Sequence, residues 1–482
     1  MMNRREHPIT ILFHYFKFLK DFIWSLIPLL FVGFKHLSVQ YTILIIIGVL
    51  ILIGIRNTVI WYFSIYRIED DGLYVKKGVF TKKETFVHRD RVQSVSTDAT
   101  LLHQLFHIEQ VIVETAGGKA PEINLYGVPI ESVHEMVAIL KGKEKSLDKP
   151  KEPKTAAETY QLTKKEMLLA GATSGQFGIL FTALMGLWSQ VKDLLPASST
   201  TFVTDQLIHS SYYIWIMLAL VFLVFSWIAA TVSFVLKYYG FRINSSSDKL
   251  HIVYGLLHKR NVTLPHKKIQ GITIEEGILR GWFGFASIEA EAVVSMTDTK
   301  EYKVILHPFI LKKNIPDFLR RVVPQYTYRQ VEEHVPTRSL KRFLYIKVTL
   351  SFLLASGLTI WKPFLAPAFL LVLVAVWHGY ACYRRAGFSI HGKQITLSYR
   401  KIAAYTTILL RKHIQSIGTE QTIFQKKDKV GTIKIYVLSG LAGKKCVKVK
   451  HIDNWQNTRI LEWFEYRRRL QLEDSLKKSS AE

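Results

Sequence analysis

The chain has 482 residues, 49% of them hydrophobic, and carries a formal net charge of +26 with a pI near 9.8. Apolar runs such as ILIIIGVLILIGI (residues 43–55) exclude an ordinary large soluble protein and point to a membrane protein with room for three domains of about 100 residues. The two cysteines, Cys382 and Cys446, lie in different segments without a CxxC partner, which argues against a disulfide framework or a cysteine-based metal site.

Residues 1–66 predict a first transmembrane hairpin. Arg4 and Arg5 precede an apolar stretch with no small-residue cleavage site, the pattern of an anchor rather than a removable signal. Only 13 residues between Asp21 and Lys35 are uncharged, so a helix over about 15–34 spans only if Lys17 and Lys20 reach the interface. The second span, 36–62, begins with 20 uncharged residues and ends near Trp61, Tyr62 and Tyr66, an aromatic belt.

Residues 67–141 read as a β module, with LYV, TFV and VIVET broken by Asp70-Asp71-Gly72, Gly78 and Gly117-Gly118. Val133, Met136, Val137 and Leu140 then fall at helical spacing and close the module. Residues 142–166 are a charged, Pro-containing linker. The pattern recurs twice. A hairpin at 167–236 precedes a β module at 237–323, closed by a helix with Ile315, Phe318 and Leu319; a linker follows at 324–342. The third hairpin is 343–383, where the 14 uncharged residues of 348–361 require a helix starting near Leu340, with Lys347 buried or at the interface. Residues 363–383 make an ordinary span, and 384–482 form the third module with a basic helix at about 453–472. Over 384–482 there are 21 basic and 8 acidic residues, so positive charge accumulates at this end.

Three stretches tie the modules together: VHRDRVQSV (87–95), LPHKKIQGI (264–272) and LLRKHIQSI (409–417). Aligning Gln93, Gln270 and Gln415 also aligns their apolar neighbours and the basic residues upstream, so the unit is a helical hairpin plus a β module, three times over. Lys164, Lys165, Lys237, Lys341, Arg342, Arg384 and Arg385 flank the spans on the module side. The positive-inside rule therefore predicts a multi-pass protein of the cell membrane with all modules and both termini in the cytoplasm.

The segment VQSVSTDATLLHQLFHIEQVIVETAGG (92–118) resembles the bacterial pleckstrin-homology (PH)-like domain of membrane proteins, a family long catalogued as being of unknown function. IQGITIEEGILRGWFGFASIEAEA (269–292) fits as well, with Leu279-Arg280 and Trp282-Phe283-Gly284 where the first copy has Leu102-His103 and Leu105-Phe106-His107. The third copy departs, placing Asp428 and Lys429 where Phe283 and Gly284 stand. The resemblance implies cytoplasmic split β-barrels of about seven strands, each capped by a C-terminal helix. It also implies an assembly role without catalysis, hetero-oligomerisation with a smaller one-module PH-like membrane protein, and a link to antimicrobial-peptide resistance.

The basic residues Arg89, Arg91, Lys267, Lys268, Arg411 and Lys412 are candidate contacts for anionic membrane lipids or a partner. On a strand, Arg89 and Arg91 would share a face, as would Arg411 and His413; the bland reading is general attraction to anionic lipid, worth about 1 kcal/mol per residue. Gln93, Gln270 and Gln415 read as structural amides, buried and satisfying backbone groups at a strand or bulge. His103 and His107 have helical spacing for a metal, but their equivalents Arg280 and Gly284 do not ligate. GLAGKK (440–445) lacks the spacing of a phosphate loop and reads as a turn, and Asp21 reads as neutralised by Lys17 and Lys20. No catalytic constellation, cofactor site or nucleic-acid recognition helix is indicated. The sequence thus predicts a non-enzymatic membrane scaffold that assembles with the smaller partner and protects against membrane-active peptides. The alternative is a lipid-binding or lipid-handling protein, for which a basic cavity between spans would be the discriminating feature.

Overall fold

Short β-branched runs between Gly and Asp turns make strands, and each repeat supplies six of them in two successive runs of three. The structure, a computed structural model, describes residues 3–19, 39–115, 122–140, 158–175, 178, 182, 186, 212–292, 303–439 and 443–465. It divides into two units. One holds Met1–Thr159, Gly240–Pro265 and Ser295–Lys300; the other holds Tyr160–Tyr239, His266–Val294 and Glu301–Glu482.

In the first unit, β1 (Arg4–Arg5) precedes a helix, α1, described over residues 10–19, and the long helix α2 (Val39–Phe63) leads into the first repeat. There β2 (Ile65–Glu69), β3 (Gly72–Lys77) and β4 (Lys83–His88) form an antiparallel sheet in the order β1-β2-β3-β4. The next run is β5 (Val92–Thr100), the one-turn helix α3 (Leu101–Leu105), β6 (Ile108–Thr115) and β7 (Ile123–Pro129), closed by α4 (Ile130–Leu140). Leu73, Val75 and Val87 from the first run meet Val111, Val113 and Leu125 from the second under Val133, Met136 and Leu140 of α4. Alternation along the strands and a three-to-four-residue period on α4 direct these side chains inward.

A short strand, β8 (Glu158–Gln161), separates the repeats. The second repeat begins with β9 (Arg242–Ser245), β10 (Lys249–Tyr254) and β11 (His258–Pro265), which continue the sheet of the first: the order is β7-β6-β5-β11-β10-β9.

In the second unit, α5 (Lys164–Ala172) packs on α6 (Tyr212–Tyr238), and Gly171 allows the close crossing, since a Cβ there would lie 2.9 Å from the Thr231 carbonyl oxygen. The second repeat continues with β12 (Ile269–Glu276), α7 (Ile278–Trp282), β13 (Phe285–Ala292), β14 (Lys303–Leu311) and α8 (Ile315–Val322). After β15 (Glu333–His334) come α9 (Leu340–Trp361) and α10 (Leu370–Arg385), then the third repeat: β16 (Gly387–His391), β17 (Gln394–Arg400), β18 (Ala404–Leu410), β19 (Ile414–Glu420), α11 (Ile423–Lys427), β20 (Val430–Ser439), β21 (Gly443–Asp453) and a terminal helix, α12, described over 454–465. One sheet runs β14-β13-β12-β18-β17-β16-β15, and β19-β20-β21 form another. The third-repeat core joins Phe388, Ile395 and Leu397 to Ile433, Ile435 and Val449, with Ile460 of α12.

Sheets are therefore shared between successive repeats, and both junctions use one register. Thr97, Asp98 and Ala99 of β5 face Asn261, Arg260 and Lys259 of β11; Ile274, Glu275 and Glu276 of β12 face Thr406, Tyr405 and Ala404 of β18. Positions four, five and six after one glutamine thus pair with positions nine, ten and eleven before the next in both junctions. Among the described residues each repeat contributes six strands rather than the expected seven or so, and four of the six three-strand runs complete their sheets with a neighbouring repeat.

Among the described residues, four stretches are long and apolar enough to cross a membrane: Leu44–Phe63, Ala219–Tyr238, Thr337–Trp361 and Leu365–Arg385, with mean hydropathies from 1.7 to 2.4. The last is not one continuous α-helix, since Pro363–Phe369 is 3-10 and the α-helix starts at Leu370. Pro367 supplies no N–H for the helical ladder. Most of the expected spans at 15–34 and 167–191, and with them Lys20 and Asp21, lie outside the described residues.

A buried ion pair holds repeats two and three together. Glu291 of β13, fully buried, is paired with Lys445 of β21 and accepts hydrogen bonds from Thr273 at 3.1 Å and Ser439 at 3.0 Å. Lys445 also donates to Thr273 at 3.0 Å. Removing one member of such a pair strands the other. Lys445→Met is expected to destabilise the purified protein by about 3–5 kcal/mol, read as a fall in thermal midpoint, whereas Glu291→Met with Lys445→Met should recover most of the loss.

Candidate functional site

The repeated basic stretches occupy one place in the fold. Each is a single 3-10 turn linking the third and fourth strands of its repeat: Arg89–Arg91, His266–Lys268 and Arg411–His413. Arg89 and Arg91 do not share a strand face, because three residues between two strands close a turn. Arg89, Arg91, Lys267 and Lys412 are exposed, whereas Lys268 and Arg411 are half-buried. The turns also differ in their contacts. Arg89 lies 3.8 Å from Asp90, while the Arg411 guanidinium covers the Trp463 ring of α12 at 4.5 Å. Tyr326 joins the second and third turns, donating to the Ile269 carbonyl at 2.9 Å and meeting His413 Nδ1 at 3.2 Å.

Immediately after each turn stands the glutamine. The strand register slips between Val92 and Ser94, between Ile269 and Gly271, and between Ile414 and Ser416, so Gln93, Gln270 and Gln415 are each the extra residue of a β-bulge. Their amides are not deeply buried: Gln93 and Gln270 are half-buried and Gln415 is exposed. Gln270 reaches the Lys268 carbonyl at 3.4 Å. A bulge leaves a residue out of the ladder, and its side chain need not enter the core.

Ten residues beyond each glutamine lies a polar side chain at the contact between module and helix, directly in the first two copies and through His451 in the third, and it was legible only as a column of unlike residues. His103 of α3 uses both ring nitrogens, on Thr100 at 2.6 Å and the Tyr126 carbonyl at 2.8 Å, and stacks on Phe13 of α1 at 4.3 Å. Arg280 of α7 donates to the Ala170 carbonyl of α5 at 2.6 Å and lies over Phe234 of α6 at 5.0 Å. Gln425 of α11 reaches His451 Nδ1 at 3.0 Å, and that ring meets Phe343 of α9 edge-on at 4.8 Å. Four residues later His107, Gly284 and Lys429 all adopt positive φ, which ends each short helix in the same way despite the change in sequence. Asp428, which stands where Phe283 does in the second copy, pairs with Arg342 at 2.6 Å and Lys341 at 3.1 Å. Leu101, Leu105, Ile278, Trp282, Ile423 and Phe424 leave the same short helices exposed and apolar.

Beneath the third module, α9, α10, β17 and β21 enclose a cavity of about 740 Å³. Arg342, Lys347, Arg400, Lys401, Lys448 and Lys450 line it, and its described lining includes no carboxylate. Arg400 Nε is buried without a hydrogen-bond partner, and Lys347 Nζ lies 3.1 Å from Cys382 Sγ. Such a cluster in a partly enclosed site suits a phosphate-bearing ligand. Of these residues the sequence singled out Arg342, as a charge flanking a span, and Lys347, as buried or at the interface; Lys448 and Lys450, two apart on a strand, were the overlooked signal.

The same unit holds a buried histidine, His307, and two half-buried ones, His413 and His451, outside the membrane-crossing helices. Burial pushes the His307, His413 and His451 imidazoles down to about 4. Lys412 adds to this at His413; Lys450 and Arg342 add to it at His451, where Asp428 opposes them. A folded value below the unfolded value of 6.5 means that the unfolded chain takes up protons first. Stability is therefore fully present above about pH 6.5 and declines as the pH falls toward 4. Thermal melts in detergent are expected to drop steadily from about pH 7 to 4.5, and His451→Asn, which tolerates the positive φ, should flatten part of that slope.

The comparisons with known proteins accord with this geometry. The bacterial PH domain family profile matches three times, at residues 22–144, 183–323 and 343–468. The chain is 30% identical over 485 aligned positions to the UPF0699 transmembrane protein YdbT of Bacillus subtilis (strain 168), covering 96% of this chain and 98% of that one. With three matches over most of its length, each taking in helical sequence as well as β module, the chain belongs to the bacterial PH domain family of membrane proteins.

Proposed function

We propose that the protein is a non-enzymatic membrane scaffold whose β modules lie in the cytoplasm and assemble with a smaller PH-like membrane protein, and that the assembly protects the cell against membrane-active peptides. The observation that carries this reading is a contact between module and helix in each repeat: His103 stacks on Phe13 of α1, Arg280 donates to Ala170 of α5, and His451, held by Gln425, meets Phe343 of α9. Exposed apolar residues on the same short helices suit contact with the lipid interface. The basic residues flanking the membrane helices support the cytoplasmic orientation.

Purification of the tagged chain from its native membrane in mild detergent, with mass spectrometry of what accompanies it, tests the reading. A small PH-like membrane protein in fixed ratio is expected, and deletion of either chain should sensitise cells to cationic peptides. Recovery without any module-bearing protein, together with unchanged sensitivity, would contradict it.

The second reading, lipid binding, is favoured by one observation: the carboxylate-free basic cavity under α9 and α10. Lys448→Glu with Lys450→Glu is expected to cut co-purifying anionic phospholipid several-fold while leaving zwitterionic lipid unchanged. Equal anionic lipid in both preparations would remove this reading.

A further inference from the structure

Among the described residues, two strands repeat the positions of the paired ones yet have a neighbour on one side only. The fourth strand of the first repeat, β5, is covered by β11, and that of the second, β12, by β18; the fourth strand of the third repeat, β19, ends its sheet. Likewise β11 and β18 are covered third strands, and the third strand of the first repeat, β4, ends its sheet. No described strand lies against the outer edge of β4 or of β19. Burial follows the pairing. Phe86 of β4 is 48% exposed, whereas Thr263 and Ile408 in the same column are 2% and 0% exposed. In β19, Ser416, Thr419 and Glu420 are exposed, whereas β12 buries Ile272, Thr273 and Ile274.

We propose that a second copy of this chain completes both edges, its β19 adding to β4 head to tail, so that the junction already made twice within the chain is made a third time between chains. This goes beyond the scaffold reading and does not depend on it. The register is fixed by the internal junctions. Position four, five or six after a glutamine faces nine, ten or eleven before the next in both of them. Carried over, Glu420 faces Lys83, Thr419 faces Glu84, Gly418 faces Thr85 and Ile417 faces Phe86. This brings the exposed Phe86 against a half-buried isoleucine and sets a carboxylate opposite an ammonium.

The charges decide between pairing and its avoidance. A lysine on a free edge commonly guards against association. Here the equivalent positions of the first junction are Asp98 and Arg260, directly opposite one another in a formed sheet. Glu420 and Lys83 repeat that polarity, so the edge charges complement one another across the proposed contact instead of repelling. At the second junction Tyr405 donates to Glu275 at 3.1 Å from the same two columns. Because the contact joins two different surfaces, it either closes into a ring or continues as an array in the membrane plane.

Site-directed disulfide formation in the full-length chain tests the proposal. One copy carries Thr85→Cys, the other Gly418→Cys and a different tag, and both are co-expressed in bacterial membranes and oxidised. Gly418 has open space where the new Cβ would lie. Thr97→Cys with Asn261→Cys, partners at the first internal junction, serves as the intrachain control. The expected result is a two-chain product carrying both tags, with yield several-fold above that of Thr85→Cys with Ser416→Cys. Glu420→Lys should reduce the yield, and adding Lys83→Glu should restore it. The proposal is overturned if the control pair oxidises while no two-tag product forms, if both registers cross-link equally, or if the product joins this chain only to a smaller protein.

Discussion

The edge-to-edge pairing of strands from successive repeats governs the rest of the architecture. A sheet of three strands is near the minimum for independent stability, and an open edge leaves backbone hydrogen-bonding groups unpaired. Laying β5 against β11 and β12 against β18 removes four such edges in two junctions and turns short sheets into long ones. The consequence is visible in the division of the molecule: the boundary between its two units falls between Pro265 and His266, inside the second sequence repeat, at the 3-10 turn that separates its strand runs. Sequence repeat and structural unit are therefore out of phase by half a module. Lys445 and Glu291 make the same point in electrostatic terms, since a charge buried in the second repeat is neutralised by the third.

The module-to-helix links follow a different logic. They cluster at the position ten residues after the bulged glutamine, but their chemistry differs: the His103 imidazole stacks on Phe13, the Arg280 guanidinium donates to Ala170, and the Gln425 amide holds His451 against Phe343. What each position requires is a polar group able to satisfy carbonyls or ring nitrogens at the end of a short helix. The third copy carries this furthest, adding the ion pairs of Asp428 with Lys341 and Arg342 to the aromatic contact of His451 with Phe343. That change accompanies the cavity lined with basic side chains, so the third module differs in surface while keeping the backbone, including the positive φ shared by His107, Gly284 and Lys429.

Much of this was legible in the sequence, and the remainder had physical reasons for being hidden. Spacing around Gln93, Gln270 and Gln415 exposed the repeat because a bulge fixes both the residue and its apolar neighbours. Apolar run length located the long helices, and the resemblance of 92–118 and 269–292 to the PH-like domain anticipated the family. Strand partners were not legible, since a third strand and a fourth strand alternate in the same way whether they pair within a repeat or with the next. Nor was the turn at Arg89–Arg91, because three residues are too few to separate strand from 3-10 periodicity. Nothing in the stretch EAEA marked Glu291 as buried, and only the lysine brought from β21 explains its burial.

Sheet sharing between repeats is the central claim, and amide hydrogen exchange measured strand by strand on the intact chain in detergent tests it most directly. If β11 and β18 cover the fourth strands of the repeats before them, the amides of β5 and β12 along those junctions will exchange as slowly as the core of α4 and β20. Exchange at β5 and β12 as rapid as at a solvent-exposed strand edge would contradict the account, because it would mean that the repeats fold side by side without sharing their sheets.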